Sequence, residues 1–165
     1  MRRSSTRYAI VVLVLFVLGV RSVDAWVLVS VSPGWTASVG TLELTGSAGS
    51  DFAPTLESEV DVSTVDLEST SDWRVDVSLV GPSWPSTLAI SVRASSVKTK
   101  GNGTTSAATA YVAVDTTPTR FASGTFGRGR SIRASLGLQY LVEGISAEMG
   151  AGTHVATIVY TVTDQ

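Results

Sequence analysis

The chain has 165 residues, 12 lysines and arginines against 14 aspartates and glutamates for a formal charge of −2, and no cysteine. The missing cysteine excludes disulfides, thiolate metal sites and thiol catalysis, and the weakly acidic balance argues against nucleic acid or an anionic membrane surface, since both reward basic patches. At this length one domain with a real core is expected.

The N-terminus sets the compartment. Arg2, Arg3 and Arg7 form a basic head, Ala9 to Val20 is an apolar run, and Val23-Asp24-Ala25 offers small or modest residues for cleavage. This pattern predicts an export leader over residues 1–25, cut after Ala25. The run is about 12 residues long, short of the roughly 20 that cross a bilayer as a helix. The expected product is secreted, extracellular or held at the cell surface, touching the membrane only through the leader before cleavage. Removing Arg2, Arg3, Arg7, Arg21 and Asp24 leaves 8 basic and 13 acidic residues on a single domain, 26–165.

Serine, threonine, valine, alanine and glycine dominate that domain, and no apolar period of 3.6 residues persists. The prediction is all-β. Trp26-Val27-Leu28-Val29-Ser30-Val31-Ser32 opens as a strand, apolar on both faces and closed by Pro33-Gly34. An exposed strand of that kind is an aggregation hazard, so it has to be covered by its own sheet or by a neighbour. Trp35 to Thr45 reads as the next strand, and Glu57 to Thr64 as another, with carboxylates on one face and valines on the other. Trp73, Val75, Val77 and Leu79 alternate strictly with Arg74, Asp76 and Ser78, which predicts one face buried and one in water.

Leu88, Ile90 and Val92 face inward in the following strand, after the breaker Gly81-Pro82-Ser83-Trp84-Pro85. Residues 98–106 read as a polar hairpin loop with Asn102-Gly103 as its tight turn. Ala110 to Val114, Arg120 to Gly124 and Ile132 to Val142 follow. The last strand, Thr153 to Thr163, is β-branched on both faces and so belongs inside a sheet. The sum is an antiparallel two-sheet sandwich, immunoglobulin-like or jelly-roll, of about eight or nine strands.

Chemistry-bearing residues are few. His154 is the only histidine and stands beside a Gly-Thr turn, so a catalytic triad has little to draw on, and no serine lies in a Gly-x-Ser-x-Gly turn. The acidic row is a solvated face, its side chains about 7 Å apart along a strand. The domain is therefore read as having no enzymatic site and calling for no cofactor. Asp51, Glu57, Glu59 and Asp61 are the weak calcium candidates, as oxygen donors without a calcium-loop motif. Trp35 and Trp84, near turn residues at strand ends, are candidates to stack on sugar rings. Asn102-Gly103-Thr104 is a glycosylation sequon. Arg120, Arg128, Arg130 and Arg133 concentrate positive charge and form a candidate contact patch for acidic faces of other copies.

Ser71-Asp72-Trp73-Arg74-Val75-Asp76-Val77, with the closing Ala151-Gly152-Thr153 and Thr157 to Asp164, resembles secreted bacterial surface proteins of the WxL type and the strand-rich subunits of spore coats and pili. Trp73-Arg74-Val75 and Tyr160-Thr161-Val162 stand where Trp-x-Leu belongs in the first of these. The resemblance implies a non-enzymatic extracellular sandwich that assembles or adheres, and pilus-type subunits polymerise by lending a terminal strand. On that reading Trp26 to Ser32 is the lending strand of a filament, pilus or surface-layer subunit, whose partners are its own copies or cell-surface components. The alternative is a secreted carbohydrate-binding or adhesion module, which requires Trp35 and Trp84 exposed together.

Overall fold

The computed structural model of the chain describes residues 8–18, 27–39, 55–81, 84–146 and 152–165. Twelve strands are present among them: β1 (Tyr8–Leu18), β2 (Val27–Ser32), β3 (Thr36–Val39), β4 (Thr55–Glu57), β5 (Ser63–Ser69) and β6 (Trp73–Val80) in the first half. The second half adds β7 (Ala89–Lys100), β8 (Gly103–Ala107), β9 (Val112–Ala113), β10 (Thr119–Phe126), β11 (Ile132–Glu143) and β12 (Thr153–Asp164). One sheet runs β3-β1-β12-β6-β10-β8, the other β2-β5-β11-β7-β9 with β4 also on β11. The protein is a β-sandwich, antiparallel throughout except that β1 pairs parallel with β12.

The core lies where alternation predicts it. Trp73, Val75 and Val77 of β6 and Ala156, Ile158, Tyr160 and Val162 of β12 point inward from the first sheet. Ile132, Leu136, Leu138, Tyr140 and Val142 of β11, with Ile90 and Val92 of β7, meet them from the second. Both sheets bury a β-branched or aromatic face, which is the condition for two sheets to pack. A chain of aromatic rings ties them: Trp35 stacks on Tyr140 at 6.0 Å and 11°, the Tyr140 and Tyr160 hydroxyls stand 3.4 Å apart, and Phe121 meets Tyr160 edge-on.

The strand count exceeds the expectation because the leader-like run 8–18 is itself a strand and most of 98–106 is β7 and β8. Ala110 to Val114 shrinks to the two residues of β9. Among the described strands almost every step along the chain also changes sheet, and only β4 to β5 stays within one. That corrects the hairpin assigned to Asn102-Gly103. β7 and β8 belong to different sheets, Gly101 takes the positive φ of 100°, and the Asn102 carbonyl accepts a hydrogen bond from Gly127 N at 2.6 Å. Without a ladder between the two strands there is nothing for a type I′ turn to close.

The acidic strand is corrected too. β4 and β5 lie in line along β11, with Glu57 opposite Leu141 and Ser63 opposite Leu138, so five residues face two. The surplus loops out, leaving Val60 63% exposed and Asp61 at φ 54°. Asp61 accepts from the hydroxyls of Ser95 and Ser96, at the register shift in β7 opposite Gly137. These bonds hold its carboxyl below the usual range. Any side chain at Gly137 would collide with it. On β6, Asp76 and Ser78 are buried rather than wet, and Arg74 donates two hydrogen bonds to Asp76 at 2.9 and 2.7 Å.

Candidate functional site

The feature that sets this sandwich apart is the place of β1. Its residues Ala9 to Leu18 register on Thr153 to Val162, and on its other side Tyr8 to Val11 register on Val39 to Thr36. The apolar run that reads as a leader is thus the strand between β12 and β3. A strand with ladders on two sides cannot be withdrawn without baring both edges, and bare edges recruit other strands. Ala25 and Trp26 lie outside the described residues, as does Asp51.

Val27–Ser32 is paired antiparallel with β5, from Val27 opposite Ser69 to Ser32 opposite Thr64. The strand therefore has a place in its own fold, which removes the need to assign it to a neighbour in order to cover it. Val29 is buried and Leu28 is 60% exposed, so only one of its two apolar faces is covered. Among the described residues β2 ends its sheet and has a ladder on one side only.

Trp35 is corrected from sugar-stacking candidate to core residue: it is buried, its ring laid against Tyr140. Trp84 is half-buried against the core and its indole N–H donates to Leu88 O at 2.8 Å. One flat ring is inside and the other is tied to backbone, so the pair does not form an exposed platform. The signal missed was the rigid aromatic pairing across sheets, which proximity to glycine in sequence does not reveal.

The calcium candidates are also dispersed. Glu57 accepts from the Tyr111 hydroxyl, Glu59 is exposed, Asp61 is held by serines, and no cluster of three metal-ligating side chains of the Asp, Glu, His and Cys types occurs among the described residues. Around Glu57 a different group assembles, which sequence reasoning did not find. Arg93 lies 4.9 Å above the Tyr111 ring, donates to Gln139 Oε1 at 3.0 and 2.7 Å, and sits 3.7 Å from Glu57. Gln139 in turn donates to Ser58 O. Partial desolvation, then the Glu57 carboxylate, pushes the Tyr111 phenol up to about 12. A phenol so placed keeps its proton at neutral pH, and the group acts as a clasp tying β4, β7 and the segment before β9.

Tyr140 and Tyr160 behave alike. Burial raises Tyr140, and burial raises Tyr160 well above its ordinary value. All three folded pKa values exceed the unfolded one near 10, so the unfolded chain releases protons that the folded chain retains. Their contribution to stability is complete below pH 10 and falls as pH rises toward 12. Absorbance at 295 nm should therefore show these three ionising together with unfolding, followed by circular dichroism, and not in a separate earlier step.

The four arginines of the candidate contact patch do not all lie together. Arg128 and Arg130 are exposed between β10 and β11, and Arg133 follows in β11, paired with Glu68 at 2.9 Å. Arg120 stands at the other end of β10, about 20 Å away at strand rise, and does not join them. Lys100 takes its place, directly opposite Arg133 in the β7–β11 ladder. Asn102 is exposed at the sheet-to-sheet corner. His154 is half-buried as the second residue of β12, not in a turn. Compared with known proteins, the sequence matches no family model and no curated protein.

Proposed function

We propose that the chain is an extracellular structural subunit that assembles with copies of itself along the edge of β12. The observation that carries this is the position of β1: the run with leader character occupies a slot with a strand on each side. Cleavage after Ala25 would take away a ten-residue ladder on β12 and the partner of β3. The N-terminal segment of a neighbouring copy, Trp26 to Ser32, is the strand to fill that place. It leaves a position with one described ladder, on β5 of its own copy, for one with two, on β12 and β3 of the neighbour. Main-chain bonds supply affinity, and alternate side chains fix register.

The test is to express the full chain in an exporting host, determine the N-terminus of the product by mass spectrometry, and inspect it by size-exclusion chromatography and negative-stain microscopy. A product beginning at Trp26 and found in filaments or large oligomers is expected. A product that keeps residues 8–18, or a processed chain that stays monomeric, overturns the reading.

A further inference from the structure

A groove of about 520 Å³ crosses the outer face of the second sheet, over β2, β5, β11 and β7. Two rows of outward side chains make it, and the ladders fix their order. The first row runs Leu28, Glu68, Arg133, Lys100; the second runs Ser30, Asp66, Ser135, Lys98. From β2 to β7 the surface thus passes from apolar through acidic to basic. Glu68 is engaged within the chain by Ser131 and Arg133, but Asp66, Lys98 and Lys100 have no ion pair among the described residues.

Such a gradient complements itself under one operation. A two-fold axis parallel to the strands and midway between β5 and β11 lays the partner's β11 over β5 and its β7 over β2, with positions along the strands kept. Each Lys98 then comes beside the other copy's Asp66. Each Lys100 lays its aliphatic stem across Leu28 and carries its ammonium toward Glu68. We infer that this face is an isologous interface with a second copy of the chain, separate from the β12 edge and not dependent on the assembly proposed above. It covers the exposed leucine and pairs the three unpaired charges. A two-fold contact of this kind requires one patch to meet itself, and few charge patterns satisfy that.

The experiment uses the full 165-residue chain, whose β12 edge is covered by β1, so that strand exchange does not contribute. Sedimentation is measured for the natural sequence, for Asp66→Lys, for Lys98→Glu, and for an equimolar mixture of the two variants. The natural chain is expected to dimerise, and each variant alone to do so at least about tenfold more weakly, since both set like charges face to face. The mixture should recover the dimer, because opposite charges then meet at both halves of the interface. Recovery on mixing is specific to a second copy. No dimer from the natural chain, or weakening without recovery in the mixture, overturns the inference. So does binding of an anionic polysaccharide that Lys98→Glu loses while the sedimentation of all four samples is the same.

Discussion

Alanine in place of Trp73 should lower stability by about 3–5 kcal/mol, the range for emptying a buried large aromatic site. Trp73 is fully buried at the start of β6, between Gly124 of β10 and Asp164 of β12 in the ladders. Its ring is the largest side chain sealed in the core, so its loss leaves a void lined by both sheets. The indole N–H has no hydrogen-bond partner among the described residues, so packing carries the ring's stabilisation. Phenylalanine should consequently cost much less than alanine: it keeps ring contacts and removes a donor whose desolvation is not returned. Denaturant midpoints at constant m-value measure both variants, and equal losses for the two would show that the site does not depend on ring packing.

Gly124→Ala should cost about 1–3 kcal/mol, as expected when a methyl group is forced into a filled core. A Cβ built at Gly124 falls 2.4 Å from Trp73 Cε2 and 2.5 Å from Cζ2. The indole cannot retreat, being held between sheets, so either the ring leaves its rotamer or β10 moves off β6. The decisive comparison is the double variant. With Trp73→Ala the obstructing ring is gone, and the added methyl partly refills the void, so the two costs should fall short of their sum by more than about 0.5 kcal/mol. Additive costs would mean that Gly124 is needed for its backbone and not for the space it leaves.

Where strict alternation meets a sheet with one buried face, the residues announce their own positions. Trp73, Val75 and Val77, and Ile90 and Val92, could be assigned inward from local pattern alone, because each step of two returns to the same face, whereas β12, apolar on both faces, offers no such choice. What local pattern does not carry is partnership. Trp35 is buried because Tyr140, more than a hundred residues later, presents a ring to it, and Arg93 is bonded because Gln139 stands opposite in the next strand. The acidic run was misread for a related reason: its alternation is real in sequence, but β11 offers only two residues opposite the five between Glu57 and Ser63. Asn102-Gly103 has the composition of a hairpin turn, yet a turn's type is decided by whether its flanking strands bond to each other. Leader character and strand character coincide in Tyr8–Leu18, since both are runs of apolar and β-branched residues.

The alternation of consecutive strands between sheets bears on how the molecule comes to be made. Neighbours in sequence do not zip together, so each ladder waits for a segment that is synthesised later. β12, the final twelve-residue strand, lies between β1 and β6 in mid-sheet. The first sheet therefore cannot close until β12 has emerged, and contacts so distant along the chain are made slowly, on the millisecond-to-second scale or longer. Until then the facing edges of β1 and β6 are open to other chains. Folding of this protein is in large part a contest between its own last strand and the strands of its neighbours.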